Sequence, residues 1–176
     1  MLPAEDALPV PLASGWPEPL AGSQVVLRES GITLGSILMD DDEWPALRAS
    51  PVYSVRIDDH AASDGWTTTT PDGTETHHEF EIPTLPVLVP PQALASSREL
   101  SDWVWCTHGA LGRLLLWDAG RTWWIVQEPD LELTLLCSQL GIFGTESDEL
   151  SWWNFGSAKG RRKVTDLRVR YGIDQP

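Results

Sequence analysis

One short run of the sequence, His77-His78-Glu79-Phe80-Glu81, has the residue types and spacing of a metal site. On a strand, His77, Glu79 and Glu81 would project from the same face, because successive side chains alternate. Imidazole and carboxylate groups together can bind divalent metals. No second group of ligands in the sequence supports such a site. Polar residues at every second position are typical of a strand face that is exposed to water. We predict a solvated strand, with neither a bound metal nor another cofactor.

Two cysteines and a histidine could form a thiol site, since an imidazole stabilises a thiolate nucleophile. They lie in Cys106-Thr107-His108 and at the distant Cys137. A structural zinc site would need paired, closely spaced cysteines, which the chain lacks. On a strand, residues two positions apart are about 7 Å from each other and do not meet. Cys137 continues an apolar strand face, so we predict that it is buried as a small hydrophobic residue and that both thiols are free.

A third candidate site, Asp58-Asp59-His60, follows a predicted strand, and loops at strand ends often carry active sites. An Asp–His pair can act as a general base, with Ser54 or Ser63 as a possible nucleophile. The chain has neither a Gly-x-Ser-x-Gly motif nor a phosphate-binding loop. Carboxylates that cap turns explain the run equally well. A small enzyme of unrecognised class is therefore an alternative hypothesis, with a site drawn from Asp58, His60, His77, Glu79 and His108.

Tryptophan is unusually frequent, with ten in the chain and seven of them within residues 103–153. Exposed indoles stack on sugars, bases or partner side chains, so a carbohydrate or small-ligand binder is another alternative. Core packing is the commoner role of tryptophan. Trp123 and Trp124 are neighbours on a predicted strand and must face opposite ways. A phage-associated structural subunit, which would carry a large apolar patch, is the remaining alternative.

The charge distribution excludes several partners. The formal net charge is −14, and residues 1–158 carry −18 while residues 159–176 carry +4. An acidic body repels nucleic-acid phosphates and anionic membranes and attracts basic proteins. The basic run Lys159-Gly160-Arg161-Arg162-Lys163 is predicted to pair with the acidic body or to be a solvated turn. Met1–Asp6 has no apolar stretch of a secretory signal, so we predict a cytoplasmic protein with reduced thiols.

The elements that would position these residues are mostly short strands. A proline-rich N-terminal arm is predicted over residues 1–22. Residues 58–73 are polar and predict a long loop or a loose hairpin tip. Apolar runs that alternate with polar residues or are bounded by turn residues predict strands. Acidic residues or a proline at the beginning of a segment predict a helix. The strands are 23–28, 32–39, 51–58, 76–82 and 163–171, and the helices are 43–49, 91–100 and 147–155.

The strongest local pattern is a three-stranded meander over residues 112–137. Its strands are Gly112–Trp117, Thr122–Glu128 and Leu131–Cys137. The first two flank Asp118-Ala119-Gly120, a three-residue loop in which glycine would take the left-handed position. We predict that the apolar positions of this meander are buried, since apolar faces of period two must meet a core.

The whole pattern predicts an α+β fold that is mainly antiparallel β, with about nine strands and about three short helices. Sustained helical periodicity is missing, which argues against a parallel α/β fold. A β-sandwich or a partly closed barrel is the alternative. The predicted organisation is the arm over residues 1–22 and a single globular domain over residues 23–176.

A small acidic, strand-rich domain without catalytic motifs fits a non-enzymatic protein-binding module of the inhibitor or immunity type. An acidic surface captures cationic clefts, as bacterial immunity proteins do with nuclease toxins. The predicted partner is therefore a basic protein such as a toxin, and arginine, alanine and glycine usage predicts a bacterial source. The residues predicted to contact it lie on predicted loops or a helix start: Asp40, Asp41, Asp42, Glu43, Asp58, Asp59, Asp64 and Trp66.

Overall fold

The chain forms eleven strands and two helices within the residues that the computed structural model describes. Those residues are 8–9, 12–13, 16–29, 48–57, 63–109, 112–128, 133–139, 153–154 and 158–171. The strands are β1 (Leu12–Ala13), β2 (Trp16–Pro17), β3 (Gln24–Glu29), β4 (Val52–Arg56), β5 (Ser63–Thr69), β6 (Glu75–Glu81), β7 (Val87–Leu88), β8 (Leu114–Asp118), β9 (Trp123–Glu128), β10 (Leu133–Ser138) and β11 (Trp153–Asn154), and the helices are α1 (Ser97–His108) and α2 (Ala158–Tyr171).

A seven-stranded antiparallel sheet forms the centre of the molecule. Its strand order is β11-β3-β10-β9-β8-β4-β7, and the sheet is open, with β11 and β7 as its edges. Two further two-stranded sheets pair β1 with β2 and β5 with β6. The prediction of a mainly antiparallel protein is confirmed. The finer prediction differs, because the described chain has more strands and fewer helices than expected and the sheet does not close.

The predicted meander is confirmed as β8-β9-β10. Its register places Leu116 opposite Ile125, and Leu135 opposite Val126. The apolar residues predicted to be buried are each at most 1% exposed: Leu114, Leu116, Trp124, Val126, Leu133 and Leu135. Burial of each such side chain contributes about 1.5–3 kcal/mol, so the meander contributes strongly to the stability of the fold.

Both faces of the large sheet are buried. One face, which we call the helix face, packs Leu116, Trp123 and Ile125 against Leu100 and Val104 of α1. The other face, which we call the N-terminal face, carries a second cluster. That cluster joins the sheet residues Leu115, Trp117, Trp124, Leu135 and Cys137 to Leu8 and Leu20. Trp123 and Trp124 therefore face opposite ways, as predicted.

Helix α1 begins later than the predicted helix 91–100. Residues after Pro90 and Pro91 form turns, in which Ala93 N–H donates to the Pro90 carbonyl. The helix begins after Ser96, whose Oγ accepts a hydrogen bond from Glu99 N–H at 3.2 Å. A serine N-cap satisfies a free N–H of the first turn, and this cap fixes the start. The helix then continues to His108, a segment for which no helix was predicted.

The predicted strand 163–171 is wrong, because these residues belong to helix α2. The apolar alternation that suggested the strand does not face a core, since Val169 is 82% exposed. Lysine, arginine, alanine and leucine are strong helix formers, and they dominate the segment. The predicted helix 147–155 is also wrong where it can be compared, since Trp153–Asn154 is the edge strand β11 and pairs with Leu27 and Val26.

The β8–β9 connection differs from the predicted loop. Four residues, 119–122, join the strands, and Arg121 rather than Gly120 has the positive φ, at 55°. The buried Asp118 carboxylate organises the loop by accepting from the backbone N–H groups of Thr122 (2.7 Å) and Trp123 (3.0 Å). These hydrogen bonds hold the turn in place, so it does not need a left-handed glycine.

Several predicted elements fall on residues outside the described ranges. These are the strand 32–39 and all but the end of the helix 43–49, whose described residues 48–49 form a turn. The long loop predicted over 58–73 is wrong for residues 63–69, which form strand β5, whereas the alternative of a hairpin tip is confirmed for residues 70–73, which lie in the turn between β5 and β6.

Candidate functional site

The hairpin formed by β5 and β6 stands apart from the large sheet. Its strands pair in register from Ser63 opposite Glu81 to Thr69 opposite Glu75, and they make only isolated contacts with other elements. From Gly65 to Glu81 every residue is exposed except His78 and Phe80, which are half-buried. Threonine-rich alternating sequence favours a strand, but neither face of this hairpin is covered by a described core. Its side chains are therefore available to a partner.

One face of the hairpin is acidic. Glu75, His77, Glu79 and Glu81 share it, as the alternation of β6 requires. At the rise of a strand, Glu79 and Glu81 lie about 7 Å apart, and Glu75 and Glu79 lie about 13 Å apart with His77 between them. Residues 63–81 hold five carboxylates and neither lysine nor arginine, so the hairpin is a concentrated patch of negative charge. We call this side the acidic face.

The opposite face is aromatic. The Trp66 indole stacks on the imidazole of His78, with ring centroids 5.0 Å apart and planes at 16°. Phe80 lies at 5.8 Å from the same indole in a tilted arrangement. Thr68 Oγ1 and His78 Nε2 share a hydrogen bond of 3.0 Å, which fixes the imidazole under the indole. Trp66 remains 38% exposed, so this aromatic face presents a large ring to solvent.

Two local features define the hairpin geometry. At the tip, the Asp72 carboxylate accepts from Thr70 Oγ1 and from Thr74 N–H, and these hydrogen bonds lower the pKa of Asp72, the one from Thr70 most. Gly73 takes a φ of 84°, as the turn requires. Within β5, a Cβ on Gly65 would lie 2.5 Å from the carbonyl oxygen of His78 and 3.1 Å from the His77 ring. Only glycine allows this close approach of the two strands.

The structure brings two of the residues predicted to contact a partner to this hairpin. Asp64 and Trp66 both lie on β5, on a strand rather than on the predicted loop. The other predicted contact residues lie outside the described ranges: Asp40, Asp41, Asp42, Glu43, Asp58 and Asp59. The sequence pattern suggested Glu79 and Glu81 as candidate metal ligands on a solvated strand and Glu79 as a catalytic candidate, and it predicted no partner contact for the three glutamates of the acidic face. The absence of basic residues over 63–81 was the sequence signal that could have identified them.

A second group of polar side chains, which the sequence did not predict, is buried between β4 and α1 on the helix face of the sheet. Ser54 Oγ and His108 Nε2 share a hydrogen bond of 2.8 Å, and Arg56 Nη1 donates to the His108 carbonyl at 3.2 Å. Burial, and to a lesser extent the neighbouring Arg56 guanidinium, lowers the pKa of His108 to about 4. The imidazole is therefore neutral at neutral pH and is available as a hydrogen-bond acceptor.

The Ser54–His108 pair has the spacing of a nucleophile and its general base. Ser54 is 0% exposed and His108 is 1% exposed, so a substrate cannot reach either atom in this conformation. No carboxylate of the described residues accepts from His108 Nδ1. The pair therefore acts as a buried polar contact that ties the end of α1 to β4. His60 and Asp58, the other members of the enzyme hypothesis, lie outside the described ranges.

The two thiols lie on opposite sides of the large sheet. Cys106 is exposed on α1, whereas Cys137 is buried in the cluster of the N-terminal face, and both are free. Ser23 Oγ lies 2.8 Å from Cys137 Sγ, and Leu20 N–H donates to the same sulfur. Burial raises the pKa of the Cys137 thiol. The prediction that Cys137 is a buried hydrophobic residue is confirmed.

Within the described ranges, no three histidine, cysteine or acidic side chains are arranged to hold a metal ion. Among the same residues, no helix has the length and apolar content needed to cross a membrane. Comparison with protein-family models, with curated proteins and with solved structures finds no match. The function is therefore argued from the residues of this chain.

Proposed function

We propose that the chain is a non-enzymatic protein-binding module of the inhibitor or immunity type, and that the hairpin β5–β6 captures a basic partner such as a bacterial toxin. The observation that carries this proposal is a hairpin exposed on both faces that concentrates five carboxylates without a basic residue and adds an exposed indole.

The acidic face supplies the long-range attraction. In water, a cation about 7 Å from a carboxylate gains roughly 0.6 kcal/mol, so a basic partner that places one cation near each of the three glutamates gains about 2 kcal/mol at low salt. This energy accelerates the encounter with a basic protein more than it slows dissociation. Because the whole chain carries −14, the attraction extends beyond the hairpin and disfavours acidic partners.

The aromatic face supplies the short-range anchor. Tryptophan is among the residues that contribute most when they are buried at the centre of an interface. Trp66 is held by stacking on His78 and contact with Phe80, so its ring is already ordered before binding. An ordered anchor loses little conformational entropy on association, which favours a long-lived complex.

The test begins with capture of proteins from a lysate of the source cells on the immobilised chain. A captured partner is then purified, and its binding kinetics are measured at low and high salt on a biosensor. Replacement of Glu75, Glu79 and Glu81 by glutamine should slow association roughly tenfold at low salt and much less at high salt. Trp66→Ala should instead accelerate dissociation, by roughly 30-fold for a loss of about 2 kcal/mol.

A matched control removes the same amount of charge elsewhere. Glu18→Gln, Asp102→Asn and Asp166→Asn neutralise three exposed carboxylates away from the hairpin. This variant should associate within about twofold of the wild-type rate. The proposal is wrong if the purified partner is acidic, or if the control variant loses association to the same extent as the hairpin variant.

A further inference from the structure

A cleft on the N-terminal face of the large sheet lies outside the hairpin and has no role in the proposed function. It has a volume of about 480 Å³, within the range of roughly 300–1,000 Å³ that is typical of small-molecule sites. The described residues that line it are Tyr53, Leu85, Pro86, Trp117, Ala119 and Arg121.

The cleft has an aromatic wall built by strand register. Tyr53 of β4 and Trp117 of β8 are direct cross-strand partners, so their rings lie on the same face of the sheet. The two rings stack with centroids 5.8 Å apart and planes at 24°. Leu85 adds an apolar rim that is 62% exposed. Trp117 is 4% exposed and Tyr53 is half-buried, so the Tyr53 ring is the main aromatic surface that the cleft presents, and such a surface with an apolar rim favours a planar ligand.

The cleft also has one positive charge. Arg121 is the only charged residue among the described residues that line it. The carboxylate of Asp118, three positions earlier, accepts hydrogen bonds from Gly120, Thr122 and Trp123 within the loop. Arg121 is exposed, and no ion-pair partner of its guanidinium lies within the described part of the chain.

The backbone at Arg121 indicates that this position is unusual. Its φ of 55° lies in the left-handed region, which favours glycine over arginine. An arginine at this position costs conformational energy, which the hydrogen bonds to Asp118 offset, and backbone positions of this kind are concentrated at sites with a function. The strained conformation lies at the loop that borders the aromatic wall.

We propose that this cleft binds a small planar aromatic carboxylate, with the ring against Tyr53, which Trp117 supports from behind, and the carboxylate on the Arg121 guanidinium. Guanidinium groups pair with carboxylates through two parallel hydrogen bonds and also stack on aromatic rings. A single carboxylate is favoured over a polyanion, because the −14 charge of the chain repels multiple negative charges.

The proposal is tested by titrating the full chain with 2-naphthoate and following binding by calorimetry and by NMR shifts. Two matched probes separate the contributions: 2-naphthamide keeps the ring without the charge, and cyclohexanecarboxylate keeps the charge without the aromatic ring. We expect saturable binding of 2-naphthoate with a Kd of about 1 mM or tighter. Each matched probe should bind roughly tenfold more weakly or worse.

Two variants test whether Arg121 supplies the positive charge that binds the carboxylate of the ligand. Arg121→Gly removes the guanidinium and suits the positive φ, so it should lower the affinity for 2-naphthoate roughly tenfold without lowering the Tm. Arg98→Ala removes the same charge from an exposed position on α1 and should leave the affinity unchanged. Equal binding of 2-naphthamide, absence of saturable 2-naphthoate binding, or equal loss in both variants would overturn the proposal.

Discussion

The neutral imidazole of His108 makes the stability of this protein depend on pH. Burial, and secondarily the Arg56 guanidinium, lowers its pKa from 6.5 in the unfolded chain to about 4 in the folded chain. Between these two values the unfolded state binds a proton that the folded state does not. The stabilising contribution of a neutral His108 is therefore complete above the unfolded pKa and is lost as the pH falls toward the folded pKa.

The size of this effect follows from the two pKa values. At about 1.4 kcal/mol per pKa unit, their difference corresponds to about 3 kcal/mol of unfolding free energy. Proton linkage places about 2 kcal/mol of that loss between pH 7 and pH 5. The loss is large, because domains of this size have a total stability of only about 5–15 kcal/mol.

The assay is urea unfolding of the wild type and of His108→Gln at pH 7 and pH 5. Glutamine can still form a hydrogen bond with Ser54 but does not titrate in this range. We expect the wild type to lose about 2 kcal/mol more than the variant between the two pH values. Because each protein is compared with itself, a uniformly less stable variant does not obscure the result.

The control is His77→Gln, which removes an exposed histidine of the hairpin. This variant should lose as much unfolding free energy between pH 7 and pH 5 as the wild type does. The reasoning is refuted if His108→Gln loses as much stability as the wild type between pH 7 and pH 5. It is also refuted if NMR titration of the folded protein shows His108 taking up its proton near pH 6.5.

Three further changes test the fold and the hairpin. Asp118→Ala should lower the unfolding free energy by about 2–4 kcal/mol and Asp118→Asn by less, as measured in urea, because the carboxylate holds four donors of the β8–β9 loop. Gly65→Ala should abolish the NMR contacts between Trp66 and His78, since its Cβ would meet a backbone carbonyl, and should leave the Tm nearly unchanged. Leu115→Ala should cost about 2–5 kcal/mol in the same urea assay, because this side chain is 0% exposed within the sheet.

The sequence predicted the parts of the fold in which the apolar residues of the sequence pattern are also the buried residues of the structure. The meander was predictable because its strands are almost wholly apolar and are joined by a turn with an acidic residue. Helix α2 was not predictable from alternation, since the apolar positions that suggested a strand include the exposed Val169. Where only a few apolar positions show a period of two, the helix propensity of the residue types predicts the secondary structure better than the alternation does.

The sites were predictable to different degrees. Charge and residue type identify Asp64 and Trp66 as contact residues, although the polar segment that contains them predicts a loop where the structure has strand β5. The contact between Ser54 and His108 was not predictable, because the two residues are 54 positions apart in the chain and a serine between apolar residues of a strand usually faces solvent. The sheet is instead buried on both faces, and a polar residue on its second face needs a buried partner from a distant helix.

The hairpin also raises the question of how an isolated pair of strands stays ordered. Two strands alone are marginally stable in water. Here the stacking of Trp66 on His78, the hydrogen bond shared by Thr68 and His78, and the Asp72 turn supply local stability, but no described element packs as a layer on either face. A partner that covers the aromatic face would supply the missing layer. Binding would then stabilise the hairpin, and the loss of Trp66 would weaken binding twice, by removing a contact and by raising the cost of ordering the strands.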